Sequence, residues 1–156
     1  DIPKGQIVPV KADAAALPFP PAFFDAVVST DSYNYFGRDS AYLDEKLLPF
    51  VKPGGLIYIA VPGMKRDLHH ALPPELLLSW TPEQLDYLHD CAYWERLLAC
   101  CQGAEVLSVR EMESNEEVWA DWLKQDNEYA HGDRKAMEAG GGKYLNFIAI
   151  VLRKKG

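Results

Sequence analysis

The run Leu56-Ile57-Tyr58-Ile59-Ala60-Val61 most narrows what this chain can fold into. It is apolar at nearly every position, rich in β-branched residues and closed by Pro62-Gly63, so it reads as a strand in the middle of a sheet. A turn leads into it: in Lys52-Pro53-Gly54-Gly55, proline fixes the first central position and Gly54 can take the positive φ of a type II turn. Residues 7–11 and 24–29 have the same character and are predicted as parallel strands buried on both faces.

Helical signals alternate with these strands. Asp39 can cap a helix to about Phe50, with Leu43, Leu47 and Phe50 on one side and Pro49 making its last turn irregular. Thr81-Pro82-Glu83-Gln84 combines a capping residue, proline at the first helical position and Gln at the capping-box position. The spacing predicts a helix over residues 82–102, stopped by Gly103, with Tyr87, Cys91, Trp94, Leu98 and Cys101 on one apolar stripe. Strands are predicted over 104–112 and 143–153. Between them, residues 115–142 read as a lid-like insertion, capped through Ser114-x-x-Glu117, with Val118, Trp122 and Tyr129 as its apolar face. Trp122 is expected to dock this segment and Trp119 to be the freer indole. The alternation implies one α/β sheet.

A chain of 156 residues with 48% hydrophobic and 25% charged residues has the composition of one globular domain. Its net charge of -7 argues against nucleic acid as a partner, and the basic run Arg153-Lys154-Lys155 reads as a solvated strand end. No stretch has the length of a membrane span or the pattern of an export signal, so the expectation is a cytoplasmic protein without a membrane partner. Cys91, Cys100 and Cys101 lack C-x-x-C spacing and read as core thiols, and no metal site is expected.

Three pieces in order, Asp13-Ala14-Ala15-Ala16-Leu17-Pro18-Phe19, Phe24-Asp25-Ala26-Val27-Val28-Ser29 and Val51-Lys52-Pro53-Gly54-Gly55, resemble class I S-adenosylmethionine-dependent methyltransferases of the small-molecule type. The resemblance implies a partial Rossmann-like sheet: strands 3 to 7 of the family's seven, the last antiparallel, with the helical insertion between the last two. Residues 1–156 would then form a single incomplete domain, a C-terminal part without the glycine-rich loop and the ribose-binding carboxylate. Such a piece is expected to be nearly inactive alone. Its strand 24–29, lacking its family neighbour, should associate edge-on with a second copy or with the missing N-terminal segment.

The resemblance also implies roles at the C-terminal ends of the strands, where α/β sheets bind ligands. Three loops should converge there, residues 29–38, 62–79 and 115–142. Asp13 would accept from the adenine amino group of S-adenosyl-L-methionine, Ala14 would add a backbone N–H, and Leu17 would pack on the ring. Asp13 as a simple turn former is the alternative. Ser29 and Thr30 would border the methionine portion of the cofactor. Asp31 is the best carboxylate for a base, with capping as its equal alternative, and His69 could take a proton from a substrate. Tyr33, Tyr35, Arg66, Trp119, Tyr129 and Arg134 are the candidate contacts to a small-molecule acceptor, each with ordinary packing or solvation as the alternative. Two other readings remain open: a non-catalytic methyltransferase-like interaction module, and a nicotinamide-dependent oxidoreductase, which shares the sheet and explains the Asp13–Phe19 run poorly.

Overall fold

The computed structural model describes Pro3 and residues 5–156. Four strands, β1 (Phe24–Thr30), β2 (Val51–Met64), β3 (Ala104–Glu111) and β4 (Leu145–Lys154), form one sheet in the order β1-β2-β4-β3. β1 and β2 run parallel; β4 is antiparallel to both of its neighbours. The helices are α1 (Tyr33–Phe36), α2 (Pro82–Leu85), α3 (Cys91–Leu98), α4 (Asn115–Leu123) and α5 (Glu128–Glu138). No helix among the described residues is long and apolar enough to cross a membrane.

The apolar run 56–61 takes the central place its sequence predicts, between β1 and β4. Gly54 has φ +77°, as the turn before it requires. Pro62-Gly63 does not end the strand, which continues to Met64. The pairing explains this: Phe147, opposite Pro62, directs its carbonyl to Met112 N–H on the β3 side, so β4 asks no hydrogen bond of the proline.

Residues 7–11 form no strand. Ile7, Val8 and Val10 are 64%, 77% and 50% exposed, because no neighbouring strand stands beside them to satisfy the backbone or cover the side chains. Burial on both faces fails as well. Ile57, Ile59 and Val61 of β2 align with Leu152, Ile150 and Ile148 of β4 on a covered face, packed against Leu43, Leu47, Leu48, Trp94 and Leu98. The opposite face leaves Val28 72% and Tyr58 41% exposed, and β1 is an edge strand.

The segment 39–50 is helical only in part: Asp39 bonds Ala41 N–H, a π-helical turn spans Leu43–Leu47, and a 3-10 turn, Leu48–Phe50, holds Pro49. Its last carbonyls are closed from β4, where Lys154 Nζ donates to Leu48 O and Val51 O at 2.7 Å each, and Lys155 Nζ donates to Gln102 O. Lys154 is thus structural, while Arg153 and Lys155 are exposed as the solvated-end reading has them.

The long helix predicted over 82–102 is two helices. The capping box of Thr81 and Gln84 forms as expected, but α2 ends at Leu85, and Asp90 caps α3 through Tyr93 N–H at 2.8 Å. The segment between turns at Asp86 and Tyr87 and then bridges β2 at His89, whose carbonyl takes Met64 N–H and which pairs with Gly63. Tyr87 therefore leaves the stripe, while Trp94 and Leu98 stay buried on it. The insertion is also two helices, α4 following Ser114 without a side-chain cap and α5 capped by Asn127.

Candidate functional site

β1 ends at Thr30, and the next residue, Asp31, has a φ of +50°, rare for a residue with a side chain. Asp31 N–H bonds Ala60 O of β2 at 2.8 Å, which fixes the turn to the sheet, and Ser29 and Ser32 hydroxyls lie 3.0 Å apart across it. The chain then enters α1, where Tyr33 is 1% exposed and packs against Phe36, Tyr42 and Trp94. Tyr33 therefore belongs to the core and cannot line an acceptor site, whereas Tyr35, 62% exposed beside the Tyr87 ring, can.

Tyr42 joins this turn to the upstream loop, donating its hydroxyl hydrogen to Ala14 O at 2.9 Å. Because the Tyr42 ring also lies 5.8 Å from that of Tyr33, Ala14 is tied to the segment that follows Asp31, and Leu17 packs against the same core cluster. Asp13 makes the turn its alternative reading foresees, Oδ1 accepting Ala15 N–H at 2.9 Å. Among the described residues its Oδ2 and the Ala14 N–H have no partner, which leaves an acceptor and a donor side by side.

Direct hydrogen bonds join the second of the three loops to the third, and the first to the end of α2. Arg38 donates to Asp86 O and Asp86 Oδ2, both at 3.0 Å, and lies over the Tyr87 ring, tying the first loop to the end of α2. Ser79, closing the second loop, bonds Gly132 O and Ala136 N–H of α5. Asp133 of α5 accepts from Trp122 Nε1 at 2.9 Å. Partial desolvation, and then the nearby Asp133 carboxylate, raise the Asp31 pKa. Burial raises that of Asp133 too, against hydrogen bonds from Trp122 and Trp80.

The remaining candidates scatter. His69 sits between two acceptors, with Nδ1 at 2.8 Å from Asp67 Oδ1 and Nε2 at 3.1 Å from Leu85 O, so both ring nitrogens are engaged within the protein and the ring straps the second loop down. Trp119 and Arg134 line a cavity of about 750 Å³ with Lys65, Leu123 and Met137, and Asp31 does not line it. Arg134 is already used, closing the end of α4 through Leu123 O and Gln125 O. Trp119 packs between Trp80 and Phe147 while Trp122 bonds Asp133, so the expected roles of the two indoles are reversed in part: Trp119 docks α4. Arg66 lies with His70 along a separate hollow, and Tyr129 is 70% exposed.

His89 was not visible as a site residue in the sequence. Its ring stacks on Tyr93 at 3.5 Å and its Nε2 is buried without a partner. Burial, with the charges of His69 and Arg38 beside it, pushes its pKa down to about 4. The folded state therefore favours the neutral ring: the contribution is fully present above about pH 6.5 and is lost as pH falls toward 4. Because the ring is only half-buried, the loss expected is roughly 1–2 kcal/mol. Urea titrations at pH 7 and pH 4 should show it in the wild type and not in His89→Gln. The comparison with the variant matters because the raised Asp31 and Asp133 titrations act in the opposite sense, relieving a penalty as pH falls.

With this geometry in hand, the comparisons are specific. Residues 2–59 match a family described as "Methyltransferase domain". Solved structures match across most of the chain: the cyclase SpnF, at 21% identity and a TM-score of 0.57, over 92% of this chain and 54% of that one; phosphoethanolamine N-methyltransferase 2 of Haemonchus contortus in complex with S-adenosyl-L-methionine, at 18% identity and 0.66, over 92% and 36%; and geranyl diphosphate C-methyltransferase of Streptomyces coelicolor, at 12% identity and 0.63, over 92% and 51%. Comparison with curated protein sequences gave no match. The chain has the fold of these class I methyltransferase structures, and its residues 2–59 match the methyltransferase-domain family model. It spans about half the length, or less, of these solved structures.

Proposed function

We propose that the chain carries the adenine-facing and acceptor-facing part of an S-adenosylmethionine-dependent methyltransferase acting on a small molecule. The observation that supports this most is the Tyr42 link, which ties the Ala14 carbonyl to the aromatic cluster of Tyr33 just after Asp31. The residues fit the cofactor: the free Asp13 oxygen and Ala14 N–H match an amino group beside a ring nitrogen, and Leu17 offers an apolar surface. When bound, the cofactor supplies an electrophilic methyl group for in-line displacement. Ser29 and Thr30 line the approach from the strand end. Asp31, its pKa raised, is suited to take a proton from the acceptor or to hold a charge on it, and residues 115–142 act as a lid that excludes water. That a cyclase shares the fold shows why the reaction is argued from these residues.

The chain on its own is proposed to hold the cofactor weakly, to reside in the cytoplasm, and to pair its β1 edge with a second copy. Sedimentation finding only monomer would remove that last reading. For the site itself, ultraviolet crosslinking of methyl-labelled S-adenosylmethionine at saturating concentration should mark peptides from residues 13–35, with competition by S-adenosylhomocysteine. Label confined to the 750 Å³ cavity between α4 and α5, or label that does not compete, would overturn the assignment.

A further inference from the structure

In an α-helix the N–H of one residue bonds the carbonyl four residues back. In α5 the pair at Ala136 and Gly132 is shared with an outside group: Ser79 Oγ donates to Gly132 O at 2.7 Å and accepts Ala136 N–H at 2.9 Å. Two hydrogen bonds from one side chain to a single helical turn fix that turn against its neighbour. Glycine stands at that same place, although a Cβ at Gly132 would meet nothing within 4 Å, so close packing does not require it. Glycine is also the poorest helix former after proline, which makes residue 132 a soft point beside the inserted hydroxyl. The next residue along is Asp133, held by Trp122, and the residue after Ser79 is Trp80, packed on Trp119.

We propose that Ser79 is a positioning residue: its hydroxyl, built into α5 between Gly132 O and Ala136 N–H, sets the place of the Asp133 carboxylate on the acceptor side of the cleft. That location rests on the function proposed above. Without the hydroxyl, the two bonds that hold α5 to the end of the second loop are lost, and Asp133, next to Gly132, leaves its present place. Polar packing alone would make Ser79 matter for stability without moving Asp133.

The test reads Trp122, whose indole N–H donates to Asp133. In the ¹⁵N-labelled full chain, Ser79→Ala should move the Trp122 indole resonance and lower the midpoint of its titration with Asp133, while Ser79→Thr, which keeps a hydroxyl, restores both. If Ser79→Ala does not fold, Ser79→Cys keeps the volume, weakens both hydrogen bonds and is read in the same way. A folded Ala or Cys variant with the Trp122 resonance and midpoint unchanged would overturn the proposal, as would failure of Thr to restore them. No methyl donor is used, so this result and the crosslinking result fail independently.

Discussion

Trp94→Ala is expected to destabilise the protein by about 3–5 kcal/mol, enough to remove a large share of the stability of a domain this size. Trp94 is 0% exposed and joins the parts that make the site's end of the sheet rigid: it meets Tyr33 at 6.0 Å and Tyr93 at 5.4 Å within the cluster that covers Ile57, Ile59 and Ile150. Truncation leaves a cavity beneath α1, which carries the turn after Asp31. Denaturant unfolding should show a large drop in midpoint, with Trp94→Phe recovering part of it. A loss below about 1 kcal/mol would mean the cluster collapses freely and does not hold the turn in place.

Gly63→Ala should be costly for a different reason, about 2–5 kcal/mol from overpacking and a lost buried hydrogen bond. A Cβ at Gly63 would stand 2.4 Å from His89 O and 2.7 Å from Ile148 Cδ1. His89 O is the acceptor for Met64 N–H, so moving it away strands a donor in the core. The segment between α2 and α3 would come off β2, and Asp86, the anchor of Arg38, would go with it. Hydrogen exchange should therefore show faster exchange at Met64 and in residues 86–90 together. Exchange unchanged there, in a variant as stable as wild type, would show that the bridge does not fix the loop.

Gly63 also shows what the sequence could carry and what it could not. The strands 51–64 and 145–154 were legible because their signals are local, the Pro53-Gly54 turn, the apolar run after it and the alternation of residues 145–152, while their place in the sheet came with the family resemblance alone. The break between α2 and α3 was not, since Thr81 announces a helix start in sequence while the strand that captures His89 lies 26 residues upstream of it. Asp90 was the one local sign, a second capping residue inside the predicted helix. Residues 7–11 have the composition of a strand, but a strand needs a partner, and that is a property of the whole sheet.

The site divides in the same way. Asp13, Ala14, Leu17 and Ser29 to Asp31 come from short motifs, and the Tyr42 bond to Ala14 O ties the first group to the segment that follows the second. His69, Arg66 and Arg134 were named for their chemistry alone, and two of them carry structural contacts that the sequence did not show: His69 lies between two acceptors and Arg134 donates to two carbonyls. Asp133 and Ser79 were passed over because reading the insertion as one helix hid α5. Trp122 followed the Val118 stripe in sequence, yet its indole turns to Asp133 on that second helix.

A nitroxide at Ala14→Cys, with the three native cysteines replaced, measures the central geometry without any ligand. The upstream loop and the end of β1 share one mouth of the sheet, so the label should broaden the amides of Asp31, Tyr35 and Tyr42 and spare Phe24 and Asp25 at the strand's other end. Broadening at Phe24 and Asp25 with Asp31 untouched would place the two carboxylates at opposite ends, where no single nucleoside could reach both.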